Sequence, residues 1–347
     1  MKIAIKIFVG FVVALMLAYG ALIIIEWRPL AEERTIYEDA AQSEEYVPLP
    51  DTMKLMSWNI GYAGLGADMD FFYDGGTQTR TSKEQTLKNL DAIIAQLQSL
   101  DEVDFILLQE VDFDSKRSYH IDEFARISSA LDSRYPYTAV ALNYSSPYVP
   151  IPLSDPMGGV KSGLVVLSKY PIVESIRRQY PSIVDLPNRL FDLKRSMLSV
   201  AIRSSENDIL WVNNTHNTAF DEGELRRSEI QFIGNVICDN PRSITAGDWN
   251  STPPGFVASK EAMENKFFAP LPLSIDDFST WEVENFDGSI PTMRYLDYPY
   301  SSIKSTSTIV DFGVSGDKCR IIHSKTLDLK FENSDHNPII ITFVAEN

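Results

Sequence analysis

Apolar runs and polar stretches alternate along the chain at intervals that suit a layered α/β protein. Lys54 to Ile60 and Val103 to Leu108 are apolar runs of strand length, the second nearly continuous, as a buried strand requires. Between them Leu87, Leu90, Ile94 and Leu97 recur at three- and four-residue spacing, an apolar stripe on one helix face. Ser82 stands before that stripe and Gln85 three residues on, a capping-box pattern that starts the helix at Ser82. A second helix is expected over Ile121 to Leu131, with Phe124, Ile127 and Leu131 on one side, and a third over Gly223 to Cys238. The third turns Leu225, Phe232, Ile233, Val236 and Ile237 inward. Further strands are expected at Tyr137 to Leu142, Gly163 to Ser168, Met197 to Ile202, Ile209 to Asn213 and Ser243 to Ala246. Ser307 to Val314, Arg320 to His323 and Pro338 to Val344 complete the set. Gly61 to Gly76, rich in glycine and aspartate, and the proline-rich Asn143 to Gly159 read as surface loops. No internal repeat or composition shift divides residues 52–347, so a single α/β domain is the simplest arrangement.

The N-terminus departs from this pattern. Lys2 and Lys6 precede an uncharged run from Ile7 to Ile25, close to the roughly 20 residues that span a bilayer as a helix. A signal peptide has a shorter apolar segment and a small-residue cleavage site. Ala18-Tyr19-Gly20-Ala21 matches one poorly, and the apolar run continues past it, so an uncleaved membrane anchor over residues 1–30 is the preferred reading. Basic residues before the run, and Glu32, Glu33, Glu38 and Asp39 after it, put the N-terminus in the cytoplasm. The chain then reads as a single-pass protein of the cell membrane with its domain outside the cytoplasm. Residues 31–51 read as an acidic linker.

Charge narrows the partners. The chain carries a formal net charge of −17. That argues against gripping nucleic acid through a broad basic face, because phosphate-backbone binding is largely counterion release by Lys and Arg. It suits a carboxylate-rich site offset by a divalent cation. Cys238 and Cys319 lie in apolar contexts and read as buried thiols, although one disulfide is also compatible with the sequence.

Several expected strands end in polar residues where apolar sequence would continue: Asn59, Glu110, His216 and the pair Asp248 and Asn250. Asp311 lies within a further strand, and Asp335-His336 precedes the last. Each has an ordinary explanation as a turn former, a solvated strand-end charge or a satisfied core histidine. Together they form a coherent set. Asp248 and Asn250 stand two apart, so in an extended segment both side chains share a face. An acid and an amide on one face can activate and orient a water.

At these residues the chain resembles the endonuclease/exonuclease/phosphatase superfamily, the DNase I-like metal-dependent phosphodiesterases. The resemblance is carried by Ser57-Trp58-Asn59-Ile60, Leu107-Leu108-Gln109-Glu110-Val111, Ser162 to Ser168, Asn214-Thr215-His216, Gly247-Asp248-Trp249-Asn250, Ile309-Val310-Asp311-Phe312 and Ser334-Asp335-His336, in the family's order. It implies a four-layer α/β sandwich, two packed mixed β-sheets flanked by helices, over residues 52–347. It also implies a hydrolase of phosphate esters that uses Mg²⁺ or Mn²⁺ and in-line attack of water on phosphorus.

By the same resemblance Glu110 is the principal metal ligand, and Asn59 helps place the metal or the phosphate. Asp248 aligns or deprotonates the water and Asn250 orients it. His336 donates to a non-bridging phosphate oxygen, and Asp311 fixes its tautomer. Asp335 either binds a second metal or tunes His336, and His216 occupies a phosphate-facing position. Lys116, Arg117 and Lys161 can meet substrate phosphate or be solvated surface charges. His120 and His323 stand outside any motif. The implied substrate is a phosphate ester: nucleic acid, or a lipid or small molecule of the sphingomyelinase or phosphoinositide kind. A catalytically silent binding module of the same fold is the alternative of a different class. No protein partner is implied.

Overall fold

The computed structural model describes residues 2–41, 47–100, 102–182, 184–205, 208–221, 223–274 and 286–346. Helix α1 (Lys2–Ile25) leads to strand β1 (Glu32–Ile36) and the short helix α2 (Glu38–Ala41). Next come β2 (Thr52–Asn59), α3 (Lys83–Gln98), β3 (Phe105–Asp112), α4 (Glu123–Leu131), β4 (Tyr137–Val149), β5 (Gly158–Ser168) and β6 (Ile172–Gln179). They are followed by β7 (Ser196–Ser205), β8 (Asp208–His216), α5 (Glu224–Asp239) and β9 (Ser243–Asp248). The remainder comprises β10 (Ser251–Thr252), α6 (Lys260–Met263), β11 (Leu271–Pro272), β12 (Met293–Arg294), β13 (Ser307–Thr308), β14 (Asp311–Ser315), β15 (Cys319–Thr326) and β16 (Ile339–Ala345).

Two six-stranded mixed sheets, ordered β1-β6-β7-β8-β9-β14 and β15-β16-β2-β3-β5-β4, pack face to face. The two-residue alternation of each strand sorts its side chains into layers. Met53 and Leu55 of β2, and Phe105 and Leu107 of β3, meet Leu198, Val200, Leu210, Val212 and Ile244 between the sheets. Met56, Trp58, Ile106 and Leu108 point the other way, against Leu90, Ile93 and Leu97 of α3 and Ile127 and Leu131 of α4. On the far face α5 lays Ile230, Ile233 and Ile237 against Met197, Trp249, Phe312 and Val314. The result is the four-layer sandwich expected from the sequence.

Several elements differ from the sequence reading. Within the stretch read as a linker, Glu32–Ile36 pairs antiparallel with β6, Glu32 opposite Arg178. That strand is almost wholly exposed. It is held by its backbone ladder and by charge pairs of Arg34 with Glu174 and Arg178 with Glu32, so no apolar pattern announces it. The loop expected over Asn143 to Gly159 is instead mostly the β4–β5 hairpin. β4 lies at the sheet edge, where Pro147 removes no needed ladder bond. β6 went unforeseen because its inward positions include Ser175 and Arg177. In α3 the core takes Ile93, with Ile94 only partly buried. Ser82 caps that helix by accepting the Gln85 N–H at 3.1 Å. The Gln85 side chain turns to Asn89 instead of closing the box. The buried-thiol expectation holds for Cys319 and fails for Cys238, which is exposed.

The α4 N-terminus carries a titration that the fold opposes. Glu123 is fully buried, with Oε2 accepting the Asp112 N–H at 2.9 Å and Oε1 unpaired among the described residues. Burial, reinforced by Asp112, pushes its carboxyl well above the usual range. A carboxyl whose folded pKa is raised stabilises the fold least when ionised, so stability falls as pH rises from the unfolded value toward the folded one. Glu123→Gln keeps an acceptor for the Asp112 N–H and removes the charge. At pH 7.5 it is expected to raise stability, and to give no gain at pH 4. Denaturant titrations at the two pH values check this; an equal effect at both would contradict it.

Candidate active site

One end of the sandwich collects the polar strand termini. β2 and β3 run parallel with Asn59 opposite Gln109. β8 and β9 run parallel with His216 opposite Asp248, and antiparallel β14 sets Asp311 opposite Asp248 on the other side. Register alone therefore brings His216, Asp248 and Asp311 into one row on one sheet. Asn59 and Glu110 face them from the other sheet. Beneath, Asn214 ties the sheets together: its Nδ2 donates to the Leu108 and Val165 carbonyls (2.9 and 3.0 Å), and its Oδ1 accepts from Gln109 Nε2 (2.7 Å).

Glu110 reaches the site through an irregularity. The β3–β5 register shifts between Leu108 and Val111, and Glu110 has φ +54°. A non-glycine residue in that left-handed region is held there by its surroundings. Its Oε1 accepts from Asn59 Nδ2 at 3.3 Å and lies 3.7 Å from His216 Nε2. Asn59 Nδ2 also donates to Asp248 Oδ2 at 3.0 Å, while its Oδ1 accepts the Gly61 N–H at 3.0 Å. Glycine suits position 61 on two counts. Its φ is +51°, and a Cβ there would lie 2.8 Å from Asp335 Oδ1.

Asp248 is buried, with Oδ1 accepting the Asn250 N–H at 2.9 Å. Burial, and secondarily Asp311, push its carboxyl up to about 6, with His336 acting in the opposite direction. Asn250, at φ +48°, donates from Nδ2 to the Asn217 carbonyl at 2.9 Å. His336 Nδ1 pairs with Asp311 Oδ2 at 2.8 Å, and its Nε2 stands 3.8 Å from Asp248 Oδ2. Burial works against charge on His336, but Asp311 and Asp248 outweigh it and hold the imidazole protonated well above its ordinary pKa. His216 is the opposite case: burial, with Arg195 and His336 adding to it, holds the ring neutral. Its Nε2 faces Glu110 and Asp248 (3.7 and 3.5 Å), and its Nδ1 is buried with no hydrogen-bond partner among the described residues.

Two groups of donors are candidates for a cation. Asp248, Asp311 and His336 offer atoms within 4.8 Å of one another. A histidine kept protonated by two carboxylates is a hydrogen-bond donor, however, and not a ligand. Asp335 and Glu110 fit better. Asp335 is buried, and burial, with Glu110 adding to it, pushes its carboxyl up to about 6, eased by His336 and Arg294. Among the described residues its one side-chain hydrogen bond is from the Ser334 hydroxyl at 3.4 Å. A buried Asp335 and a partly exposed Glu110, each raising the other's electrostatic cost, are the oxygen ligands a hard divalent ion would take.

The basic candidates take other positions. Arg117 is buried, forks onto Asp112 (2.8 and 3.1 Å) and covers the Tyr62 ring at 3.7 Å. It is neither a solvated charge nor open to substrate. Lys116 Nζ donates to the Pro156 carbonyl at 2.9 Å. Lys161 is exposed on the rim of a groove away from the carboxylates. His120 is exposed beside Asp114, and His323 is exposed on β15.

Sequence reasoning missed the supports. Arg226, at the buried face of α5, donates to the Asn250 carbonyl at 2.7 Å and to Asp221. Glu229, one turn on, accepts the Thr218 N–H at 2.8 Å. Two charged residues on the inward stripe of an amphipathic helix were the available signal. Thr292 Oγ1 accepts the Asp311 N–H at 3.1 Å, and Trp58 Nε1 donates to the His336 carbonyl at 2.9 Å. Arg294, buried on two-residue β12, faces Asp335 and donates to the Gly66 and Met69 carbonyls. Nothing in its sequence context marks it.

Comparison with known proteins agrees with this fold. The model of the Endonuclease/Exonuclease/phosphatase family matches residues 56–299. No curated protein matches the sequence. The crystal structure of an endonuclease/exonuclease/phosphatase from Beutenbergia cavernae is similar at TM-score 0.60 and 18% identity, over 86% of this chain and 72% of that one. Another from Bacteroides vulgatus is similar at TM-score 0.53 and 14% identity, over 86% and 100%. At such identities the likeness is one of fold.

Proposed function

The chain belongs to the endonuclease/exonuclease/phosphatase family, whose members are phosphoesterase hydrolases, generally dependent on a divalent metal; from that premise we propose that it is a Mg²⁺- or Mn²⁺-dependent phosphodiesterase. The observation that carries this reading is the convergence of Asn59, Glu110, His216, Asp248, Asp311 and His336 through short side-chain contacts at one end of the sandwich. Asp248 takes the proton of the attacking water, with Asn59 and Asn250 fixing its two oxygens. His336, charged and braced by Asp311, donates from Nε2 to a non-bridging phosphate oxygen as negative charge builds there. Neutral His216 supplies a second donor beside it. Glu110 and Asp335 would hold the cation, with Asn59 close by. When bound, that ion supplies Lewis-acid stabilisation of the phosphoryl oxygens.

Substrate choice follows from the surroundings. The net charge of −17 disfavours a long nucleic acid. Aromatic rings from two loops, Tyr73 and Phe220, stack at 6.0 Å near the site, with Phe220 half exposed. They favour a phosphodiester that carries an apolar or planar group, which includes lipid head-group esters. Helix α1 is long and apolar enough to cross a membrane. We read it as an uncleaved anchor with the domain outside the cytoplasm.

The test is hydrolysis of bis-p-nitrophenyl phosphate. Turnover is expected with Mg²⁺ or Mn²⁺, lost with chelator and restored by adding the metal back. Absence of metal-dependent turnover on this probe and on a panel of DNA, RNA, sphingomyelin and phosphoinositide would leave the silent binding module as the reading.

A further inference from the structure

The segment that leaves α1 is not a free tether. Glu26 directly follows the helix, yet its side chain is only 2% exposed. Arg189 forks onto it at 2.9 and 3.3 Å, and Lys194 Nζ lies 3.5 Å away. Trp27 lies under the Arg177 guanidinium at 5.2 Å. Five residues on, β1 enters the sheet beside β6. The clamp residues Arg189 and Lys194 belong to a segment that is itself tied to the β4–β5 hairpin. Tyr144 donates to the Phe191 carbonyl at 2.7 Å, and the Lys194 N–H to the Asn143 carbonyl at 2.7 Å.

The same hairpin approaches the anchor directly. Ile25 and Trp27 share a groove with Ser146, Pro147, Gly159 and Lys161, the residues just below the hairpin tip. Beyond Pro147 the tip turns apolar and exposed: Tyr148 is 49%, Ile151 40% and Leu153 87% exposed. Its one charge, Asp155, is paired with Arg80 at 2.6 Å. A tip of Tyr, Ile, Leu and Pro whose single carboxylate is paired with Arg80 has the composition of a segment that enters the bilayer interface. The base of the hairpin (Tyr144, Val149, Met157, Val160) packs on Tyr62 and Phe71, in the loop that follows Asn59.

We infer that the tip of the β4–β5 hairpin is a second membrane contact, seated in the same bilayer as α1, and that the Glu26 clamp holds the domain in that pose. The inference rests on reading α1 as a membrane span. It requires no particular substrate. A domain fixed at two points presents one side to the lipid, the side that carries the loop after Asn59.

The full chain, reconstituted in phosphatidylcholine nanodiscs containing doxyl-labelled lipid, tests this. An environment-sensitive fluorophore is placed at Leu153→Cys in a Cys238→Ser background. The control is Ser133→Cys, beyond the other end of the 13-residue β4, about 40 Å from the tip at strand rise. The label at 153 is expected to shift to the blue and to be quenched roughly twofold or more beyond that at 133, as for a group at the lipid interface. Equal quenching at both sites, or none at 153, would overturn the contact. Arg189→Glu, with Arg189→Gln as a milder partner, is expected to bring quenching at 153 down to the level at 133 with the circular-dichroism spectrum unchanged. Undiminished quenching in a folded variant would overturn the clamp. Failure of the chain to float with liposomes would overturn the anchor itself. Metal-dependent turnover is scored separately, so failure of this inference is distinct from failure of the catalytic reading.

Discussion

Asp248→Asn is expected to lower kcat on a phosphodiester by about 10³-fold, the range for loss of a positioned general base, with little change in KM. The substitution is close to isosteric. The amide oxygen can still accept the Asn250 N–H that Asp248 Oδ1 accepts at 2.9 Å. What disappears is the proton acceptor, together with the negative charge that helps keep His336 protonated. The pH profile separates this from simple disruption. The Asp248 carboxyl sits at about 6, so wild-type kcat/KM should rise as pH increases through that value and the carboxyl gives up its proton. The variant should lack that limb. An acidic limb kept by the variant would assign it to another group, Asp335 included, whose carboxyl is also pushed up to about 6. A profile that rises through 6 but a kcat within a few-fold of wild type would reduce Asp248 to a positioning role.

Glu110→Gln is the second large effect. It is expected to cost about 10³-fold or more in kcat/KM, the equivalent of about 4 kcal/mol, and to raise the metal concentration needed for half-maximal activity. Glutamine preserves an oxygen toward Asn59, which donates to Glu110 Oε1 at 3.3 Å, but loses the charge. It also relieves repulsion on Asp335, whose carboxyl Glu110 helps push up. The variant should therefore be at least as stable as wild type without metal, and less stabilised than wild type by added Mg²⁺. A melting curve with and without Mg²⁺ reads this apart from turnover. An unchanged Mg²⁺-induced shift would place the cation elsewhere, with the group of Asp248, Asp311 and His336 as the alternative.

The layered fold was legible because β2, β3, β5 and β8 are built from apolar runs, and a core strand has little freedom to be otherwise. The polar residues that end those runs were legible for the same reason: Asn59, Glu110, His216 and Asp248 interrupt apolar sequence where nothing in packing calls for it. Their mutual arrangement was less so. Parallel pairing of β8 with β9 sets His216 opposite Asp248, but register is a property of two strands and is written in neither. The positive φ of Glu110 and Asn250 belongs to residue types that carry no mark of it. β1 was invisible because an edge strand can be held by backbone bonds and surface charges alone. Arg117 illustrates the converse error. Its context suggests a mobile surface cation, whereas Asp112, Tyr62 and the hairpin close over it. Arg226 and Arg294 act through carbonyls of distant loops, partners that sequence spacing cannot supply.

The Asn214 stitch has a consequence for how this protein fails. Asn59 and Glu110 ride on one sheet, and His216, Asp248 and Asp311 on the other, so the seam between the sheets runs through the candidate site. Asn214 and Gln109 bolt that seam directly under the reacting groups. Sliding the two halves by a fraction of a bond length misaligns donors and acceptors long before the hydrophobic layer between them opens. On the proposed function, alignment across the seam acts as a vernier: under heat or mild denaturant, turnover should fade while circular dichroism still reports an intact fold.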